Sequence, residues 1–150
     1  MKKVMVRSLH DAFDYVMAHY YPNGLEDMAE RSDTYAVISI QDTHMGGYGF
    51  EFKETKYCLG VLTLYFDDIE HEVDGAVLFN EDMAQQIIDF IQSHKKAETL
   101  LVHCYAGQSR SLAVGAFAYQ LLGGDNDKFF EKGSLNMHVY DMLEEVYDRQ

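Results

Sequence analysis

Cysteine is scarce: only Cys58 and Cys104 occur in 150 residues. Two are too few for a disulfide framework, and a reducing compartment leaves both as thiols. Proline occurs once, in the turn-like Tyr21-Pro22-Asn23-Gly24. No linker, internal repeat or low-complexity tract divides the chain, so one domain over residues 1–150 is expected. Basic residues are also few, 12 Lys and Arg against 25 Asp and Glu, for a formal charge of −13. Such a balance repels long polyanions, because nucleic-acid affinity comes largely from phosphate neutralisation by Lys and Arg. No nucleic-acid partner is expected. Uncharged apolar runs are too short to cross a bilayer. The start, Met1-Lys2-Lys3-Val4-Met5-Val6-Arg7, is charged but leads into no sustained apolar region or small-residue cleavage site. The expectation is therefore no membrane partner and a cytoplasmic location.

What is present is the composition of a globular chain, 47% hydrophobic with eleven Tyr and nine Phe. Val4 to Ser8 reads as a short strand, and Ser8 then caps a helix whose apolar Phe13, Val16, Met17 and Tyr20 recur at helical spacing. Tyr35 to Ile40 and Leu59 to Phe66 are β-rich runs that barely alternate, as strands covered on both faces do, so both are expected at the sheet centre. The Gly46-Gly47-Tyr48-Gly49 stretch between them reads as a loop. Asn80, followed by Glu81 and Asp82, opens a helix running to about His94, with Met83, Ile87 and Ile91 on one face. Thr99 to Val102 is a short apolar strand. Ser111 to Leu122 is a helix apolar almost all round, closed by Gly123-Gly124, and must be buried. Asn136 caps a last helix with Val139, Tyr140, Leu143, Val146 and Tyr147 on one stripe. Strands alternating with helices predict an α/β fold: a central, mostly parallel sheet flanked by helices, with ligands at the carboxyl ends of the strands.

The chemistry concentrates where the buried strand meets the buried helix, in His103-Cys104-Tyr105-Ala106-Gly107-Gln108-Ser109-Arg110-Ser111. A tight loop there turns backbone N–H groups inward as an anion nest, and the helix N-terminus adds its own donors and the positive end of its dipole. A phosphate in the nest has Cys104 below it and Arg110 beside it, with Tyr105, Ala106, Gly107, Gln108 and Ser109 wrapped around it. Gly107 permits the close turn. Arginine suits the task, since its planar fork donates two hydrogen bonds to phosphoryl oxygens and keeps its charge. A helix N-terminus and a nearby arginine favour the thiolate form of a cysteine, which makes Cys104 a standing nucleophile. Ser111, or else Ser109, is placed to hydrogen-bond the sulfur when it leaves.

Cys104 and Arg110 at this spacing, after His103 and before Ser111, resemble the signature of the protein tyrosine phosphatase superfamily. The Ala106-Gly107-Gln108-Ser109-Arg110-Ser111 wording resembles its compact dual-specificity branch, and the likeness extends over most of residues 34–150. The resemblance implies a dual-specificity-phosphatase-like fold, no cofactor, and hydrolysis of phosphomonoesters through a phosphocysteine intermediate. It also implies that His103 orients the loop and tunes the cysteine, although a core histidine explains it nearly as well. By the same resemblance Asn136 braces the phosphate loop, where a plain helix cap is the competing explanation.

Ester hydrolysis also needs a proton for the leaving oxygen and a base for the attacking water, and one carboxyl group serves both. The resemblance places this acid on a loop after a strand upstream of the cysteine, which is where Phe66-Asp67-Asp68-Ile69-Glu70 falls. Asp68 is preferred and Asp67 is the alternative. Glu70, Glu72 and Asp74 extend the acidic run, which reads equally as a solvated loop. His44, His71 and His138 lack metal-ligand spacing, so no metal is expected. Phosphoinositide-directed members carry loop lysines and RNA-directed members are basic. A loop with Arg110 alone, in an acidic chain, implies a phosphorylated protein or a small phosphoester as substrate. Tyr48, Phe50 and Tyr105 are candidates to line the pocket mouth. The competing readings are a phosphate-binding module without turnover, and a sulfur- or arsenate-handling enzyme with a similar loop. A reversible Cys58–Cys104 disulfide is a further expectation.

Overall fold

The computed structural model describes residues 1–44 and 51–150. The Gly46–Gly49 stretch, Tyr48 and Phe50 lie outside the described residues. Four strands, β1 (Lys3–Arg7), β2 (Tyr35–Gln41), β3 (Cys58–Tyr65) and β4 (Thr99–His103), form one sheet in the order β1-β4-β2-β3. Every pairing is parallel. The helices are α1 (Leu9–Tyr20), α2 (Glu81–Ser93), α3 (Arg110–Leu121), the single turn α4 (Asp127–Phe130) and α5 (Met137–Asp148). No helix among the described residues is long and apolar enough to cross a membrane.

Alternation along the strands divides the core in two. Ala36, Ile38 and Ile40 of β2 and Leu100 and Val102 of β4 face one side, where α2, α3 and α5 cover them. Tyr35, Val37 and Leu101 face the other, against Ala12, Val16 and Tyr20 of α1 with Phe52 and Tyr57. The caps expected from sequence form: Ser8 accepts from Asp11 N, Asn80 from Met83 N and Asn136 from Val139 N. Burying Ile87, Ile88 and Ile91 of α2 and Val139 and Leu143 of α5 stabilises the fold by about 1.5–3 kcal/mol per large side chain. Helix α3 is buried along Arg110 to Ala118 and lies so close to β1 that a Cβ on Gly115 would stand 2.3 Å from Val6 Cγ2.

Three expectations need correction. β2 is buried throughout, but β3 is an edge strand with intermediate positions along its length, so only β2 of that pair belongs to the sheet centre. α1 buries Val16 and Tyr20 as expected, but Ala12 takes the core position expected for Phe13, which is exposed. The Cys58–Cys104 disulfide cannot form. Cys58 pairs with Tyr35, which is level with Thr99, so Cys104 lies five residues further along the sheet. That is roughly 16 Å at the rise of a strand, against a Cα separation below about 7 Å for a disulfide. Cys58 is a buried structural thiol that donates to the Gly60 carbonyl, and burial pushes its ionisation up.

Candidate active site

Strand β4 delivers Cys104 to the carboxyl edge of the sheet, and α3 begins at Arg110, so residues 104–109 must reverse within one tight loop. The β1–α1 junction supports that loop from behind: Leu9 N donates to Tyr105 O at 3.1 Å. Gly107 adopts φ +71, and a Cβ there would lie 2.5 Å from both Arg7 C and Ser8 N. With no side chain to keep the strands of backbone apart, the loop closes until Gly107 N–H reaches Cys104 Sγ at 3.2 Å. Ser111 Oγ stands 3.0 Å from the same sulfur, which is 2% exposed. Of the two serines expected near the sulfur, the structure selects Ser111.

Arg110, 5% exposed, lies at the cavity wall. Its Nη1 donates to the Phe66 carbonyl at 2.8 Å and pairs with Asp42 Oδ1 at 2.7 Å. These two bonds use one of the guanidinium's three nitrogens and lock the arginine to the ends of β3 and β2.

The two adjacent acids part company. Asp67 is buried and turned into its own loop, accepting from Val77 N at 2.8 Å and from both the hydroxyl and the N–H of Thr43. Burial pushes its carboxyl up, but the donors from Val77 and Thr43 outweigh burial and hold it below the usual carboxylate range. Asp67 thus braces its own loop and is not among the residues that line the cavity. Asp68 is exposed and lines the cavity. Its Oδ1 accepts from Ser109 Oγ at 2.7 Å and Asn136 Nδ2 at 2.9 Å. Asn136 also donates to the Ile69 carbonyl, and Met137 N donates to Glu70 Oε1 at 2.9 Å. The acid-bearing loop is thereby fastened to the first turn of α5.

His103 is fully buried in a chain of bonds on the opposite face from α3. Gln41 Nε2 donates to Ser39 Oγ at 2.8 Å, and Ser39 Oγ meets His103 Nε2 at 2.7 Å. Nδ1 faces the Cys104 carbonyl at 3.3 Å. A carbonyl only accepts, so the proton belongs on Nδ1, and Ser39 O–H donates to Nε2. Burial pushes this imidazole down to about 4, with Arg110 lowering it further and the Cys104 bond opposing. The unfolded chain takes up this proton near pH 6.5 and the folded one only near 4, so the stabilisation is complete above pH 6.5 and is lost as pH falls toward 4. We expect this group to withdraw ~3 kcal/mol across that window. Urea unfolding of wild type and His103→Asn from pH 7 to 4 checks it: the variant should be less stable at pH 7 and show a flatter profile.

A cavity of about 440 Å³ opens over the loop, lined by Cys104, Tyr105, Ala106, Gln108, Ser109 and Arg110 with Asp42, Asp68 and Ser134. No protein-family model matches the chain, and no curated protein matches it in sequence. Solved structures do match its shape. Human DUSP28 aligns with a TM-score of 0.55 at 15% identity, covering 97% of this chain and 92% of that one. Tk-PTP in its active form aligns at 0.54 and 15% identity over 100% and 94%. PTPMT1 in complex with PI(5)P aligns at 0.51 and 16% over 98% and 94%. The fold is that of the dual-specificity phosphatases.

On this fold the structure gathers Cys104, Arg110, Asp68 and the loop residues Tyr105, Ala106, Gln108 and Ser109 around one cavity, with Ser111 buried beside the sulfur and Gly107 packed against the β1–α1 junction. It leaves His103 behind the loop. His44 and His71 are exposed, and His138 bonds through Nε2 to the Phe79 carbonyl at 2.8 Å. Sequence reasoning missed Asp42 and Ser134. Asp42 carried a usable signal: it directly follows the apolar run of β2, and a polar residue past the end of a central strand sits at the ligand edge of a parallel sheet. Ser134, in an irregular loop, carried none.

Proposed function

We propose that this chain is a cysteine-dependent phosphatase acting on phosphomonoesters of proteins or small molecules. The observation that carries the proposal is the sulfur of Cys104, which accepts a loop N–H and a serine contact at the N-terminus of α3, in one cavity with Arg110 and Asp68. In the first step the Cys104 thiolate attacks phosphorus in line, an S–P bond forms, the P–O ester bond breaks, and Asp68 protonates the departing oxygen. In the second, Asp68 takes a proton from water, the hydroxide oxygen bonds to phosphorus, and the S–P bond breaks. Ser111 stabilises the released thiolate, and inorganic phosphate leaves. Arg110 and the loop amides hold the equatorial oxygens, where charge is spread in the transition state. PTPMT1 was solved with a phosphoinositide, but the described lining of this cavity holds two carboxylates and no lysine. That charge pattern favours an ester carrying one phosphoryl group over a polyphosphorylated headgroup.

Phenyl phosphate hydrolysis without added metal, followed by acid quench and mass spectrometry, tests the proposal. A phosphoryl group should be recovered on the Cys104 peptide. Asp68→Asn should slow turnover about 100-fold, the lower range for losing a positioned acid. Asp67→Asn should instead lower stability by about 1–3 kcal/mol, because it leaves buried donors unmatched. Larger catalytic loss in Asp67→Asn overturns the assignment of the acid. A wild type that binds phosphate but never turns it over overturns catalysis altogether and leaves a binding module.

A further inference from the structure

Among the described residues, the four helices of twelve residues or more do not end alike at their N-termini. Ser8, Asn80 and Asn136 each turn a side-chain oxygen onto the N–H three residues ahead. Ser109, at the same position of α3, makes no such cap and has φ −134, ψ −77. Serine is a good capping residue, and Ser8 of this chain caps in the ordinary way, so the difference lies in what competes for the hydroxyl. Ser109 Oγ donates instead to Asp68 Oδ1 at 2.7 Å, while its backbone carbonyl accepts from Ala113 N of α3 and Asn136 N ahead of α5.

We infer that Ser109 is a positioning residue for Asp68, its hydroxyl diverted from the helix cap to the carboxyl group so that acid and phosphate loop are held as one unit. The inference rests on the phosphatase reading above. Two consequences follow from the geometry. Oδ1 is occupied by two donors, Ser109 and Asn136, so the transferable proton of Asp68 resides on Oδ2. Ser109 leaves the start of α3 without its side-chain cap, and a phosphoryl oxygen in the cavity can take the place a serine hydroxyl normally fills.

The test varies how much the leaving oxygen needs a proton. Phenolate is a poor leaving group and requires Asp68, whereas 2,4-dinitrophenolate departs as the anion. Ser109→Ala should lower kcat/KM, which reports only the steps up to formation of the phosphocysteine, about tenfold on phenyl phosphate and less than about twofold on 2,4-dinitrophenyl phosphate, a fraction of what a general acid supplies in full. Ser109→Thr, which keeps the hydroxyl, should restore the phenyl phosphate rate. In an Asp68→Asn background, Ser109→Ala should add no further loss, since both changes then act on the same step. Equal losses on the two esters, or additive losses in the double variant, overturn the role of Ser109 while leaving the phosphatase reading intact. A wild type that hydrolyses neither ester overturns the phosphatase reading, and this role with it.

Discussion

Cys104→Ser should abolish phosphomonoester turnover, by about 10⁴-fold or more, as removal of a nucleophile does where no other group replaces it. The expected size comes from the surroundings. A serine hydroxyl attacks only with a base beside it, and the neighbouring imidazole is committed elsewhere: His103 Nε2 to Ser39, and Nδ1 to the Cys104 carbonyl. Ser111 is within hydrogen-bond distance of the sulfur but is no base. The substitution alters the Gly107 N–H contact with the sulfur but leaves Arg110 and α3 in place, so inorganic phosphate or vanadate should still raise the melting temperature of the variant. Steady-state assays with p-nitrophenyl phosphate, paired with thermal melts, separate lost chemistry from lost binding. Residual activity above about 1% of wild type would remove Cys104 from the nucleophile's role, being far more than such a variant retains.

Gly107→Ala is the second large effect, and it acts on the backbone. An alanine at φ +71 occupies a region that costs an L residue about 1–2 kcal/mol. Its Cβ would also meet Arg7 C and Ser8 N at 2.5 Å, backbone atoms that cannot rotate away. The loop must lift from the β1–α1 junction, which withdraws the Gly107 N–H from the sulfur and moves the anion nest away from Arg110. A displacement of 1 Å in such a site costs on the order of 100-fold in rate. We expect kcat/KM to fall by about that factor or more, with stability lowered by about 2–4 kcal/mol. Measuring both at a temperature where the variant is still folded distinguishes them. Ala106→Gly, in the same loop but exposed, should change either quantity far less.

The loop between β4 and α3 was readable in sequence because every part of it is local: strand, turn and helix follow one another within a few residues. The helix caps were readable for the same reason. What escaped reading depends on which strands end side by side. Ser39 lies level with His103 in the parallel register of β2 and β4. That pairing brings Gln41 into the histidine's chain of bonds and Asp42 to Arg110. No spacing along the chain announces it. The choice between Asp67 and Asp68 was likewise open, since the two differ only in which way a loop faces, and it is Thr43 and Val77 that turn Asp67 away from the cavity. β3 looked like a central strand because its composition is apolar, but position in a sheet is set by pairing order, and an edge strand can be rich in Leu and Val as well.

Asn136 caps α5 with its carbonyl oxygen and holds Asp68 and Ile69 with its amide nitrogen. One side chain therefore joins the docking of a helix to the alignment of an acid. An excursion that lifts α5 off α2 and α3 breaks both at once. On the phosphatase reading proposed above, the seating of α5 and the alignment of Asp68 should therefore rise and fall together, and activity should be sensitive to the docking of a helix whose own residues lie outside the cavity.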